Sequence, residues 1–185
     1  MSTKPAYSKQ AIEDYVKLRT KNRAVCDFEH CVRVYKMARK LDSHCDDDIV
    51  HAAAFLHDLD LSDDHEIRSA ELAERVLNRY MDPADIFRVK DAIRNHTALG
   101  NPKSTEAIVI HDADLLDYIG AIGFVRLSVA AVEWYEKKSA TDILKYILSM
   151  RNLIAEKLIL KQSRSIGADR LSAMDILLED AKASQ

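Results

Sequence analysis

The sequence predicts an all-α protein. Three observations carry this. Gly and Pro number only 4 and 3 in 185 residues, too few for the many turns of a sandwich or barrel. Aromatic residues are 6% of the chain, low for stacked β-strands. Apolar residues recur at steps of three and four, the period of an amphipathic helix. At 185 residues the natural count is one domain, long enough to bury a real core.

Taken in order, residues 1–7 read as loose chain and 8–20 as a short helix, with Ile12, Tyr15, Val16 and Arg19 on one side. Asp27 suits the cap of the next helix, with Glu29 in its first turn. Phe28, Cys31, Val32, Tyr35, Ala38 and Leu41 form its apolar stripe, and His30 shares a face with Val34 and Met37. His44 and Cys45 read as a surface turn. The acidic run Asp46, Asp47 and Asp48 lacks the central Gly and following Glu of a Ca²⁺ loop, so it reads as a helix N-terminus. That helix is predicted over 48–59, with His51 structural or exposed. Asp64 can cap a helix over 65–80 with Ile67, Ala70, Ala73, Val76 and Leu77 inward. Asp82-Pro83 opens another, ending at His96. Residues 97–104 form a loop. Ser104 or Thr105 starts the next helix, in which Asp114 lies within an apolar stripe. Gly120 and Gly123 suit close helix packing. Helices are predicted over 124–139 and 141–161, then a break at 165–167 and a last helix towards Ala183.

The functional signal centres on Ala52-Ala53-Ala54-Phe55-Leu56-His57-Asp58-Leu59-Asp60. An apolar helical run ends in adjacent ionisable residues, costly to bury unless they are paired or bind a metal. The chain has two His-Asp doublets, the other being His111-Asp112. Since about one is expected by chance, the doublet itself decides nothing. Its companions do: His30 upstream, and His65, His96 and Asp114 downstream.

Asp27-Phe28-Glu29-His30, Ala53 to Asp58, Glu106-Ala107-Ile108 through Asp112-Ala113-Asp114, and Ile119-Gly120-Ala121-Ile122-Gly123 together resemble the HD-domain phosphohydrolase superfamily, in its small single-domain members. The resemblance runs from about Asp27 to Phe124 and continues weakly to Arg170 and Met174. It implies one HD domain over 1–185, with its core in 27–124 and the helices of 125–183 belonging to it. It implies His30, His57, Asp58 and Asp114 as metal ligands, choosing Asp114 over Asp112 and Asp117. It brings His65, His96, Lys157 and Arg170 to the substrate. Two departures stand out: Cys26 occupies a position where relatives often carry His, and His-Asp-Leu-Asp replaces the frequent His-Asp-Ile-Gly.

Two His and two Asp form a mixed N/O donor set suited to Mn, Mg, Fe, Co or Zn, with positions left for water and substrate. A bound divalent ion polarises a phosphoryl oxygen and acidifies bound water, which is the machinery of phosphoester and phosphoanhydride hydrolysis. No Gly-rich phosphate loop is present, so metal and side chains must hold the phosphate. Asp60, two residues past the doublet, is placed either to orient or deprotonate a metal-bound water or to face solvent. The expected substrate is a small phosphorylated molecule, a nucleotide or a relative of one. Two alternatives are a di-iron oxygenase using His30, His57, Asp58, His65, His96 and Asp114, and a metal- or nucleotide-binding module without turnover.

A formal charge of −3 supplies no basic footprint for nucleic acid. Three cysteines without a Cys-x-x-Cys fit a reducing compartment. Residues 1–10 have no apolar signal-peptide core, and no apolar run is long enough for a bilayer. The expectation is a cytoplasmic protein without nucleic-acid or membrane partners.

Overall fold

Capping side chains start the first three helices, whereas Asp64, expected to cap the fourth, makes no side-chain cap bond. The computed structural model describes residues 5–42 and 44–184. Ser8 accepts the N–H of Ala11 and opens α1, Lys9–Thr20. Asp27 accepts the N–H of His30 at 2.8 Å and opens α2, Phe28–Leu41. Asp46 accepts two N–H groups and opens α3, Asp47–Leu56, with Asp47 and Asp48 in the first turn where the dipole favours anions. Then follow α4, His65–Leu77, α5, Pro83–Arg94, and α6, Thr105–Asp117. The remaining helices are α7, Gly120–Glu133, α8, Ala140–Lys157, and α9, Lys161–Ala183. All regular structure among the described residues is helical.

The chain divides into two compact units, Met1–Ala113 and Asp114–Gln185, and α6 runs from one into the other. In the first unit α3 is the central element, packed against α1, α2, α4 and α5. Its residues from Ile49 to Leu56 are all buried. Three consecutive alanines let neighbouring helices approach closely, while Ile49, Phe55 and Leu56 supply bulk. α5 is tied to the start of α6 by Arg88–Glu106 at 2.5 Å and by the Ser104 hydroxyl donating to Asp91 at 2.7 Å. In the second unit α7 packs on α8 and α9, and α8 on α9. A buried Arg126–Asp117 pair at 2.8 Å fixes the end of α6, with the guanidinium over the Tyr118 ring.

Several elements differ from the sequence reading. The helix predicted over 48–59 stops at Leu56, and Arg23 takes the carbonyls of Asp58 and Leu59 in the turn that follows. Those predicted over 65–80, 124–139 and 141–161 run over 65–77, 120–133 and 140–157. The break expected at 165–167 lies instead at 158–160, and α9 passes straight through. Gly167 is there for contact: a Cβ on it would stand 2.6 Å from Leu158. Ile67 of the predicted inward stripe is 46% exposed, its face being served by Ser69, Ala70, Ala73 and Leu77. Cys45, read as part of a surface turn, is buried next to an exposed His44.

Of the loose start, residues 1–4 lie outside the described part, but Tyr7 is anchored. Its hydroxyl donates to Nδ1 of His51 at 2.7 Å, and His51 Nε2 faces Glu13 at 3.3 Å. His51 is fully buried and stacks on Phe55, with ring centroids 4.5 Å apart. Burial pushes the imidazole below its ordinary value, against the opposing pull of Glu13. The unfolded chain therefore takes up a proton here first as pH falls through about 6.5, and the folded state loses stability. The thermal midpoint of the metal-stripped protein is expected to fall more steeply from pH about 7.5 to about 5.5 than that of His51→Phe, which keeps the stack and removes the titrating group. Parallel slopes for the two proteins would contradict this assignment.

Candidate metal centre

Three chain segments of the first unit meet where α3 ends. His30 enters from the first turn of α2, held there by the Asp27 cap. His57 and Asp58 stand just past Leu56. Within a regular helix, neighbouring side chains diverge by about 100°. The doublet escapes that limit because it occupies the turn after the helix. Arg23 shapes this turn: its guanidinium donates to the carbonyls of Asp58 at 2.5 Å and Leu59 at 2.9 Å.

His30 and His57 are fully buried and Asp58 is 6% exposed. His30 Nε2 and His57 Nε2 are 3.0 Å apart. Asp58 Oδ2 lies 3.3 Å from His57 Nε2 and 3.6 Å from His30 Nε2. These three atoms form a compact triangle. Ligands at right angles around an ion, with bonds of about 2.1 Å, stand about 3.0 Å apart. The protonation pattern agrees. His57 Nδ1–H donates to the Ala54 carbonyl at 2.9 Å, which leaves the Nε2 lone pair directed at the triangle. The residues present therefore fit a divalent cation.

Asp58 faces a second group through its other oxygen. Oδ1 lies 3.5 Å from His96 Nε2 and 3.9 Å from His65 Nε2. His96, just beyond α5, is 2% exposed and donates Nδ1–H to the Ile93 carbonyl at 2.6 Å, so its Nε2 also presents a lone pair. His65, the first residue of α4, is 30% exposed and meets the His96 ring edge-on at 5.2 Å. Burial pushes the Asp58 carboxyl up, but His57, His30 and His96 around it win and hold it well below the usual carboxylate range.

The other sequence-predicted residues lie as follows. Asp60 is turned into the loop, where Oδ1 accepts both the N–H (2.8 Å) and the hydroxyl of Ser62. Its own N–H donates to Ser69 Oγ at 3.0 Å. The Ser62 hydroxyl and N–H hold its carboxyl below the ordinary value. Asp114 is buried on α6, one residue into the second unit. Lys157 ends α8 exposed, and Arg170 donates to the Leu116 carbonyl at 2.5 Å, capping α6 within the second unit. The competing doublet is a self-contained pair: His111 Nδ1 is 3.0 Å from Asp112 Oδ1, both buried.

Two residues escaped the sequence reading as parts of the site. Arg23 had no periodic signal, lying in the short connection between α1 and α2. Cys26 stands out in the sequence only as a departure from the usual histidine, yet its thiol and the donors of His30 and Asp58 lie within 4.8 Å of one another.

A family model described as HD domain matches residues 27–119. The chain belongs to the HD-domain family. Its fold is that of the metal-dependent phosphohydrolases of this superfamily, and solved structures agree. A Lactobacillus plantarum protein has a TM-score of 0.78 at 21% identity, covering 95% of each chain. Bacillus subtilis YpgQ in complex with ADP has 0.74 at 20%, covering 96% of this chain and 97% of that one. A predicted HD-superfamily hydrolase from an uncultured Thermotogales bacterium has 0.66 at 25%, covering 95% and 91%. No curated protein matches. Among the described residues no single helix is long and apolar enough to cross a membrane.

Within this HD domain Arg23 is a positioning residue. Arg23→Ala is expected to weaken metal binding about tenfold, as loss of groups supporting ligands commonly does, with Arg23→Lys recovering only part because one ammonium cannot span two carbonyls. Calorimetric titration of metal into the stripped variants measures this. Unchanged affinity in the Ala variant would remove Arg23 from that role.

Proposed function

We propose that the chain is a metal-dependent phosphohydrolase acting on a nucleotide or a related small phosphate ester or anhydride. The observation that carries this reading is the triangle of His30 Nε2, His57 Nε2 and Asp58 Oδ2. Asp114, buried on α6 and matching the second Asp of the family's Asp-x-Asp, is the proposed fourth ligand. When bound, the divalent ion supplies a polarised phosphoryl oxygen and an acidified water. The chain's own residues do the rest. Asp58 contributes a fixed negative charge from a low-dielectric site. His96 and His65 present imidazoles beside it, the His96 Nε2 lone pair suited to accept a hydrogen bond from a metal-bound water and His65 suited to donate one to a phosphate oxygen. Lys157 and Arg170 are weaker candidates for the same task, and Asp60 for orienting water. The ADP held by YpgQ supports a nucleotide as substrate class.

The test is a phosphatase and pyrophosphatase screen over nucleoside mono-, di- and triphosphates with Mn²⁺, Mg²⁺, Fe²⁺, Co²⁺ and Zn²⁺ in turn. Phosphate or pyrophosphate release that chelator abolishes is the expected outcome. Silence with every metal and nucleotide would overturn the reading.

Asp58 Oδ1 favours a second reading, because a carboxylate flanked by donors on both oxygens suits a bridge between two cations. A di-iron oxygenase would use such a bridge. Two tightly held irons per chain with an oxygen-sensitive spectrum would select it over the hydrolase.

A further inference from the structure

We propose that Cys26 is an additional donor of the metal centre, a sulfur ligand beside His30 and Asp58 that tilts its preference towards Zn²⁺, Fe²⁺ and Co²⁺ and away from Mn²⁺ and Mg²⁺. The inference rests on the metal-centre reading and goes beyond it, since a His₂Asp₂ set has no sulfur. Two observations support it. Cys26 is 2% exposed, within the same buried space as His30 and Asp58. Its Sγ, a nitrogen of His30 and an oxygen of Asp58 all lie within 4.8 Å of one another. Donors sharing one ion at about 2.1–2.3 Å stand about 3–4 Å apart, so a small side-chain rotation closes the set.

Cys31 directs its sulfur at the Phe55 carbonyl, 3.8 Å away. Cys45 lies in another part of the fold, and burial pushes its thiol up to about 11. Among the described residues neither belongs to a group of potential metal donors, whereas Cys26 does. Thiolate is the softest donor a protein offers, and it discriminates where imidazole and carboxylate discriminate little.

The experiment uses the full chain stripped of metal and titrated with Co²⁺. The expected result is a near-ultraviolet sulfur-to-cobalt charge-transfer band that rises with bound cobalt, vanishes in Cys26→Ser and persists in Cys31→Ser. In competition titrations Cys26→Ser should lose about tenfold or more in Zn²⁺ affinity and less than about twofold in Mn²⁺ affinity. Cobalt bound to the unaltered protein without the band overturns the proposal and leaves the metal centre standing. Failure to bind cobalt or any other ion overturns both. Because the spectrum of the unaltered chain decides, a poorly folding Cys26→Ser does not blunt the test.

Discussion

Replacing Asp58 by Ala is expected to abolish metal binding and turnover while the helices remain. Asp58 touches both halves of the site: Oδ2 completes the triangle with His30 and His57, and Oδ1 faces His96 and His65. Losing it removes the anion among four imidazoles, and the remaining donors do not replace its charge and position for a hard divalent ion. Stability should follow a different rule. In the stripped protein, Asp58→Ala removes the desolvation cost of a buried charge together with its attraction to the surrounding imidazoles, so the thermal midpoint in chelator should change little. A purely structural Asp58 would behave otherwise, because breaking a buried pair costs roughly 3–5 kcal/mol. Metal content, phosphate release and the midpoint in chelator measure the three parts. A variant retaining stoichiometric metal and turnover would displace the site from this position. One that unfolds in chelator would make Asp58 a structural ion-pair partner.

The second large effect is expected at His96. Its Nε2 faces Asp58 Oδ1, outside the His30–His57–Asp58 triangle, and its ring is fixed by the bond to Ile93. His96→Ala should therefore leave metal stoichiometry at the triangle intact and lower kcat by about 10²–10³, the usual loss when a group that takes a proton from the attacking water is removed. His65→Ala should cost less, because that ring is 30% exposed and stands farther from Asp58. Equal kcat in His96→Ala and the unaltered protein would show that this side of Asp58 is not used by substrate. Loss of metal instead would move His96 into the ligand set and favour the two-cation reading.

Much of this was legible in the chain itself. Scarce Gly and Pro and three- and four-residue spacing announced helices because local sterics and one-sided burial act within a few residues. Asp27 and Asp46 announced helix starts for the same reason, since a carboxylate accepts only from N–H groups two or three residues on. His30, His57 and Asp58 were recognisable as candidates by residue type and motif. Tertiary structure decided what depends on distant partners. Whether His57 and Asp58 share a face rested on the turn after the helix, which Arg23, 35 residues away from Asp58, braces by taking two carbonyls. Gly167 read as a break because a glycine weakens a helix locally, but Leu158 packs against it and the helix continues. His51 was ambiguous until Tyr7 and Glu13 arrived as partners. Cys26 read as the mere absence of a histidine until its backbone placed sulfur beside His30 and Asp58. Local rules set where helices begin and which residues are capable of chemistry. Only long-range contact sets which lone pairs converge, because convergence is a property of several segments and of none alone.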